Sequence, residues 1–251
     1  MTPQHQPYVF TTMGTVVSLT TNDALPHEVA GAVEAAFAAL DERFSLYRRG
    51  SEGDRVARRD LPLRQASDVY RATYDLAVAW REKSGGAFTP HRPDGAVDLS
   101  GVVKALGIEA AAAALRSAGM RGWCLNAGGD VLVDGTQPDG TPWVVGIVDP
   151  DDRTALWTQY ETGTRPAVAT SGIAERGDHV WRLAADDTFT QVTVAAADIT
   201  TADVWATAIL AGGPPTLELA QRCDDLDVLA VSSDGRVWAS PVFLTPEPVA
   251  G

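Results

Sequence analysis

Residues 98–134 read DLSGVVKALGIEAAAAALRSAGMRGWCLNAGGDVLVD. We interpret this stretch as the centre of a ligand site that the rest of the chain surrounds. Asp98 stands in a turn, and an alanine-rich segment that opens near Lys104 predicts a helix. A short apolar strand and the tight corner Asn126–Asp130 follow. Glycines let a backbone approach a ligand closely, and a helix start with a lysine beside it suits a phosphate group. The stretch therefore predicts a site for a phosphate-containing small molecule.

The composition bounds the class of protein. The 251 residues are 45% hydrophobic, enough for one large domain or two small ones with a sizeable core. The formal net charge is -13 and the pI is near 4.6, which argues against binding to nucleic acid or to anionic membrane surfaces. An anionic ligand would need local cations, from a bound metal ion or a positioned lysine.

Cysteine usage and the N-terminal residues indicate a reducing compartment. Cys124 and Cys223 lie far apart and form no C-x-x-C pair, so we expect buried thiols rather than a disulfide scaffold or a zinc site. The first ten residues, MTPQHQPYVF, show neither a signal-peptide pattern nor a lipobox. No apolar run is long enough for a transmembrane segment. We therefore expect a cytoplasmic protein.

Hydrophobic spacing predicts helices and strands in irregular alternation. Helices are predicted over 26–44, 66–82, 104–118, 199–211 and 216–222. Strands are predicted over 8–21 with an interruption at 13–15, and over 121–125, 131–133, 143–148, 156–160, 167–170, 188–195, 227–232 and 236–240. This order favours a single α+β domain with mixed or antiparallel sheets over a doubly wound parallel sheet.

The segment TTADVWATAIL contains a possible metal site. Asp203 and Thr207 are four residues apart, so on a helix their oxygens share one face. A carboxylate and a hydroxyl suit Mg²⁺, which takes few protein ligands and fills its other positions with water and phosphate oxygens. The alternative is structural: Asp203 caps the helix start and Thr207 bonds back to a carbonyl.

Two further residues have both a functional and a structural interpretation. Lys104 could contact a phosphate, or it could be an exposed lysine paired with Glu109 or with solvent. His179, beside Arg176 and Asp178, could act as a general base, or it could be a structural or exposed histidine. Because the chain lacks Walker, G-x-G-x-x-G and G-x-S-x-G patterns, kinase, Rossmann and serine-hydrolase interpretations are weak.

The order of short motifs along the chain carries more information than any one of them. The motifs are Met-Gly-Thr at 13–15, Ser-Leu-Tyr at 45–47 with Ser-Glu at 51–52, Gly-Ala-Phe at 86–88, Asp-Leu-Ser-Gly at 98–101 with Lys104, Asn-Ala-Gly-Gly-Asp at 126–130, Pro-Trp at 142–143, Ala-Thr-Ser-Gly at 169–172, Arg176 with His179, and Ala-Asp at 202–203 with Ala-Thr at 206–207. This order resembles the ApbE family, the FAD:protein FMN transferases. The resemblance covers residues 8–245, with 1–7 and 246–251 expected to be flexible termini.

The resemblance implies an FAD cleft in an α+β, T-fold-like domain. It implies cleavage of the FAD pyrophosphate with Mg²⁺, transfer of FMN to a Thr or Ser hydroxyl of an acceptor flavoprotein, and release of AMP. The implied flavin-nucleotide contacts are Met13, Tyr47, Ala87, Phe88, Thr89, Asp98, Lys104 and Val180. The implied metal ligands are the Gly101 carbonyl, Asp203 and Thr207. The implied catalytic residues are His179 and Asp203.

The sequence departs from the family pattern at three places. The family usually has Lys-Gly where this chain has Lys104-Ala105, and Phe-Asp-Pro where it has Phe88-Thr89-Pro90. An Asp-Pro-x-Thr-Gly loop usually follows the histidine, whereas residues 179–184 here read HVWRLA. Three functions stay open: an Mg²⁺-dependent FMN transferase acting on a protein, an FAD pyrophosphatase that uses water, and a flavin-binding module without catalysis.

Overall fold

The computed structural model describes residues 6–150, 152, 154–172 and 189–243. The helices are α1 His27–Phe44, α2 Glu52–Ala57, α3 Asp68–Lys83, α4 Ser100–Ser117 and α5 Ile199–Cys223, with short 3-10 turns at Leu63–Gln65 and Pro241–Phe243. The strands are β1 Tyr8–Thr12, β2 Thr15–Thr21, β3 Trp123–Ala127, β4 Asp130–Asp134, β5 Val144–Val148, β6 Leu156–Glu161, β7 Ala167–Gly172, β8 Phe189–Ala196, β9 Asp227–Ser232 and β10 Val237–Ala239.

The described strands form two antiparallel sheets. Eight of them lie in the order β1-β2-β3-β4-β7-β8-β9-β10, and β5 pairs only with β6. Between β4 and β7 the chain therefore leaves the large sheet to build a separate two-stranded ribbon and then returns. The predicted α+β class with antiparallel sheets is confirmed.

The large sheet is covered differently on its two faces. Buried residues of α1, α3, α4 and α5 pack on one face and form the main core, which includes Phe37, Ile108, Leu125 and Trp205. On the other face the β5–β6 ribbon packs Ile147 and its neighbours over the centre of the sheet. In β5, exposed and buried residues alternate, as expected for a strand that covers a core with one face only.

Three element boundaries differ from the sequence-based expectation. The predicted strand 8–21 is a hairpin, because Met13 and Gly14 both adopt positive φ (49° and 70°) and turn the chain back. Helix α4 begins at Ser100 rather than Lys104, because the Asp98 carboxylate accepts a hydrogen bond from the Ser100 N–H at 2.9 Å. The predicted corner 126–130 is mostly strand, since only Gly128 and Gly129 form the turn between β3 and β4.

Helix α5 folds back on itself. Gly213 has φ 67° and ψ -158°, outside the helical region, and two prolines follow it. The Trp205 indole N–H nevertheless donates to Asp224 Oδ2 at 2.7 Å, although these residues would lie about 28 Å apart along a straight helix. The two halves of α5 therefore lie side by side, which agrees with the predicted break at 212–215.

The cysteines are unbonded, and one of them is not buried as expected. Cys124 on β3 is half-buried, and burial raises the pKa of its thiol to about 11. Cys223 is exposed, because it lies on the last turn of α5. Among the described residues no helix combines the length and apolar character that a membrane crossing requires.

Helices α1 and α4 pack closely at a glycine. A Cβ atom added to Gly107 would lie 2.7 Å from Cδ1 of Phe37, inside any normal carbon–carbon contact. Gly31 in α1 is exposed, and a Cβ atom there would meet nothing within 4 Å. The two helical glycines thus differ in packing but not in secondary structure.

Alanine at these positions should change the free energy of unfolding in opposite directions. We expect Gly107→Ala to destabilise the fold by about 1–3 kcal/mol through overpacking against Phe37. Gly31→Ala should stabilise it by about 0.5–1 kcal/mol, because alanine loses less backbone entropy in a helix. Urea unfolding of both variants checks this. Stabilisation by both substitutions would contradict the close α1–α4 contact.

Candidate active site

Polar side chains meet where β4 begins and β7 ends. Asp130 opens β4, and its Oδ1 atom accepts a hydrogen bond from the Thr170 N–H at 3.3 Å. Ser171 follows Thr170 on β7 and is also buried. The antiparallel pairing of β4 with β7 brings these residues together although they are 40 positions apart in the chain. This end of the sheet is the floor of the candidate site.

Lys104 forms an ion pair with Asp130 at this floor. The ammonium contacts Asp130 Oδ2, with the carboxylate fully buried and the lysine side chain only 17% exposed. The alternative in which Lys104 is exposed and pairs with Glu109 or solvent is therefore wrong. Since an isolated buried carboxylate is very costly, burial of Asp130 requires a cation beside it, and Lys104 supplies that cation. The pair also attaches the first turns of α4 to the sheet.

Asp203 and Thr207 lie on the first turns of α5, at the wall of the site. The helix is capped by Asp198, which accepts from the Thr201 N–H at 2.8 Å, so the interpretation of Asp203 as a capping residue is wrong. Asp203 is fully buried. The Thr207 hydroxyl lies 3.1 Å from the Ser171 hydroxyl, which connects the helix to the end of β7.

The candidate metal ligands among the described residues of this region are oxygens. A carboxylate on Asp203 and hydroxyls on Thr207 and Ser171 are hard ligands of the kind that Mg²⁺ and Ca²⁺ prefer. Within the described ranges no group of three or more His, Cys, Asp or Glu residues is placed to hold a metal ion. The residues present therefore fit a hard cation only if water or a bound ligand completes its coordination.

The predicted contacts Ala87 and Phe88 are packed between helices. Phe88 is 5% exposed, and its ring edge would be 2.7 Å from a Cβ atom added to Gly101 on α4. Ala87 lies at the fold-back of α5, where its Cβ would be 3.0 Å from a side chain added to Gly212. Gly101 and Gly212 leave room for Phe88 and Ala87, respectively. The segment with Ala87 and Phe88 can therefore pack closely against both α4 and α5.

Thr89 and Asp98 hold the connection that leads into α4. The Thr89 hydroxyl accepts from the His91 N–H at 3.2 Å, and the Asp98 N–H donates to the Pro90 carbonyl at 2.9 Å. Asp98 also lies near the buried Tyr70. Burial, with the negative charges of Glu52 and Asp98, raises the pKa of the Tyr70 hydroxyl well above its ordinary value. Asp98 therefore lies at the start of α4 and near Tyr70 on the first turn of α3.

The other described candidates lie at turns. Met13 is on the β1–β2 turn, which lies beside the β3–β4 turn because the Gly128 N–H donates to the Val16 carbonyl at 3.0 Å. This places Met13 at the same end of the sheet as Asp130. Tyr47, in the loop between α1 and α2, is 86% exposed. His179 and Val180 lie outside the described residues, so their predicted roles stay predictions.

Asp130 and Ser171 are the site residues that sequence reasoning did not select. Both were visible within motifs: Asp130 ends Asn-Ala-Gly-Gly-Asp, and Ser171 lies in Ala-Thr-Ser-Gly. The available signal was a carboxylate directly after a Gly-Gly turn and before an apolar strand. A carboxylate at such a position enters the core only where a cation meets it.

Sequence comparison finds known relatives of this chain. The profile of the ApbE family matches residues 90–230, more than half of the chain. An FAD:protein FMN transferase of Vibrio cholerae is 33% identical over 89 residues, which are 35% of this chain and 26% of that protein. One from Klebsiella pneumoniae is 27% identical over 168 residues, 61% of this chain and 48% of that protein. The alignments thus span at most about half the length of these relatives.

Solved structures share the fold across nearly the whole chain. The flavin transferase ApbE from Vibrio cholerae superposes with a TM-score of 0.75 at 20% identity, covering 95% of this chain and 98% of that one. The apo form of the flavinyl transferase ApbE from Pseudomonas stutzeri gives a TM-score of 0.76 at 21% identity, covering 95% of each chain. With the family match over most of the sheet and both site helices, this chain belongs to the ApbE family.

Proposed function

We propose that this protein is an FAD:protein FMN transferase that uses Mg²⁺ and modifies a Thr or Ser hydroxyl of an acceptor protein. The observation that carries the proposal is that buried Asp203 lies four residues before Thr207 on α5, and that Thr207 contacts Ser171. A protein that only binds flavin has no need of buried hard-oxygen ligands. Family membership and the names of the two sequence relatives support the same reaction.

We propose one group of residues as ligands of the cation and another as contacts of the nucleotide. Asp203, Thr207 and the Gly101 carbonyl would hold Mg²⁺, which when bound neutralises charge on phosphate oxygens. Lys104 would supply a second cation from the side of α4, in a chain whose net charge otherwise repels FAD. The proposed flavin-nucleotide contacts are Met13, Tyr47, Ala87, Phe88, Thr89, Asp98 and Val180.

The proposed reaction is an exchange at phosphorus. The acceptor oxygen forms a bond to the phosphorus of the FMN half, and the bond from that phosphorus to the bridging oxygen breaks, so that AMP leaves. The acceptor proton goes to a base, for which we propose His179. In such transfers the protein contributes mainly positioning and charge stabilisation, and Lys104, held in place by Asp130, is arranged for that task.

One assay separates this proposal from its two alternatives. Purified protein is incubated with FAD and Mg²⁺, with and without a peptide containing Asp-Thr-Gly-Ala-Thr, and AMP release and peptide mass are followed. Peptide-dependent addition of FMN supports the transferase. AMP release that ignores the peptide would instead identify an FAD pyrophosphatase, and FAD binding without AMP would identify a flavin-binding module.

Asp203→Asn should lower turnover by two or more orders of magnitude. The amide keeps the volume of the carboxylate but removes the charge that would hold the cation. The matched control is Asp198→Asn, five residues earlier on the same helix, where the side chain is exposed and only caps the helix. AMP release is measured over a range of Mg²⁺ concentrations. Equal activity of the two variants would contradict the proposed metal site.

Lys104→Met should reduce both stability and turnover. It leaves the Asp130 carboxylate buried without its cation, which we expect to lower the free energy of unfolding by about 3 kcal/mol. The double variant Lys104→Met, Asp130→Asn removes that buried charge and should regain most of the stability. Its turnover should stay low, because the phosphate still lacks the ammonium. Unfolding curves and AMP release together test this, and recovery of full turnover by the double variant would rule out a role for Lys104.

A further inference from the structure

The chain carries one basic segment on a strongly acidic protein. Residues 48–64 contain six of the 20 basic residues and three of the 33 acidic ones, a net charge of +3. The other 234 residues then carry -16. All six arginines are exposed: Arg48, Arg49, Arg55, Arg58, Arg59 and Arg64. We call this group the arginine surface.

Four of the six residues of the arginine surface have no acidic side-chain partner among the described residues. Arg48 pairs with Asp41 at 2.9 Å, and Arg58 pairs with Asp60 at 3.3 Å. Arg59 donates to a backbone carbonyl, that of Asp94, at 3.2 Å. The described part of the chain contains no ion pair for Arg49, Arg55 or Arg64. The arginine surface therefore exposes positive charge that ion pairs of the described residues do not neutralise.

The segment is compact, so its charges act on one region. The Ser51 N–H donates to the Arg48 carbonyl at 3.0 Å, and the N–H groups of Asp60 and Leu61 both donate to the Arg55 carbonyl. The Cα of Gly53 lies so close to α1 that an added Cβ would be 2.4 Å from the Phe44 carbonyl oxygen. Helix α2 and its flanking turns are thus fixed against the body of the protein.

The arginine surface is connected to the chain segment that leads into the start of α4. The exposed Tyr47 immediately precedes it in the chain. The bond from Arg59 to Asp94 connects it to the segment that leads into Asp98 and the start of α4. A macromolecule that brings a hydroxyl to the site from this side would contact these arginines.

We propose that the arginine surface docks an acidic segment of the acceptor protein. This inference rests on the proposed transferase function, since it assumes a protein acceptor. Long-range repulsion between a body of charge -16 and an acidic partner is overcome only where the partner meets the basic segment. Charge complementarity therefore favours one orientation of approach, with the acceptor hydroxyl directed to the site beside it. A nucleic acid is disfavoured as the partner. It would extend beyond the 17-residue basic segment onto the acidic surface, which repels its phosphates.

The test compares two triple variants of equal net charge. The first is Arg49→Glu, Arg55→Glu, Arg64→Glu. The control carries the same change at exposed arginines elsewhere: Arg81→Glu, Arg121→Glu, Arg222→Glu. The probes are two fluorescent peptides containing Asp-Thr-Gly-Ala-Thr, one flanked by four glutamates and one by four lysines, and a single-stranded DNA 20-mer. Binding is measured by anisotropy and transfer by peptide mass, at about 50 mM and 500 mM NaCl.

The unaltered protein and the control should bind the glutamate-flanked peptide about tenfold or more tightly than the lysine-flanked one at low salt. The first variant should lose this preference, with its KM for FAD unchanged. High salt should reduce the preference in the unaltered protein and in the control. An equal loss in the control, no preference in the unaltered protein, or equally tight binding of the DNA would overturn the proposal. So would a change confined to the KM for FAD.

The two proposals fail in different ways. If no protein in the series transfers FMN to a peptide, the transferase function is wrong, whatever the anisotropy shows. If FMN is transferred but the peptides bind all proteins alike, the transferase function stands and the docking surface is wrong.

Discussion

The ion pair between Lys104 and Asp130 is the interaction on which the site depends. It joins the first turns of α4 to the opening residue of β4, and Asp130 also accepts from the backbone of β7. Three elements that are distant in sequence therefore meet through one fully buried carboxylate. Removing or displacing the cation would leave a buried charge without a partner, which is strongly destabilising. The pair therefore fixes the position of α4 relative to β4. The ammonium is thereby held at the place where the proposed phosphate would bind.

Helix α5, which carries Asp203 and Thr207, is held in place by contacts of Trp205 that do not involve the proposed metal ligands. Trp205 lies between Asp203 and Thr207 in sequence, and its indole donates to Asp224, which also pairs with Lys83 at 2.6 Å. Trp205 packs edge-on against Trp80 of α3, with ring centroids 5.9 Å apart. The helix that carries the proposed metal ligands is thus anchored by aromatic packing and a shared carboxylate. Precise placement of such ligands requires this kind of support.

Sequence periodicity predicted most elements because their burial is regular. Helix α1 and strand β5 each have one buried face, and their spacing shows it directly. Boundaries were less accurate where a local hydrogen bond decides them: the Asp98 carboxylate starts α4 earlier than the apolar pattern indicates. The strand residues Asn126 and Ala127 look like a turn in isolation, and only pairing with β2 and β4 makes them extended.

The site itself was predictable only in part. The four-residue spacing of Asp203 and Thr207 is a local property, so the sequence indicates a shared helical face. That Asp198, not Asp203, caps the helix depends on where the first turn begins. The partner of Lys104 and the neighbour of Thr207 lie 26 and 36 residues away in the chain, and no local pattern encodes such contacts. They follow from the packing of α4 and α5 against the strands β4 and β7.

The fold-back of α5 sets a constraint on chain length. Trp205 and Asp224 meet only because Gly213 reverses the direction of the chain between them. Inserting or deleting one residue in the second half of the helix would rotate Asp224 by about 100° around the helix axis and shift it by about 1.5 Å. The carboxylate would then point away from both the indole and Lys83. The segment from 214 to 223 should consequently tolerate substitution on its outer face far better than any change in its number of residues.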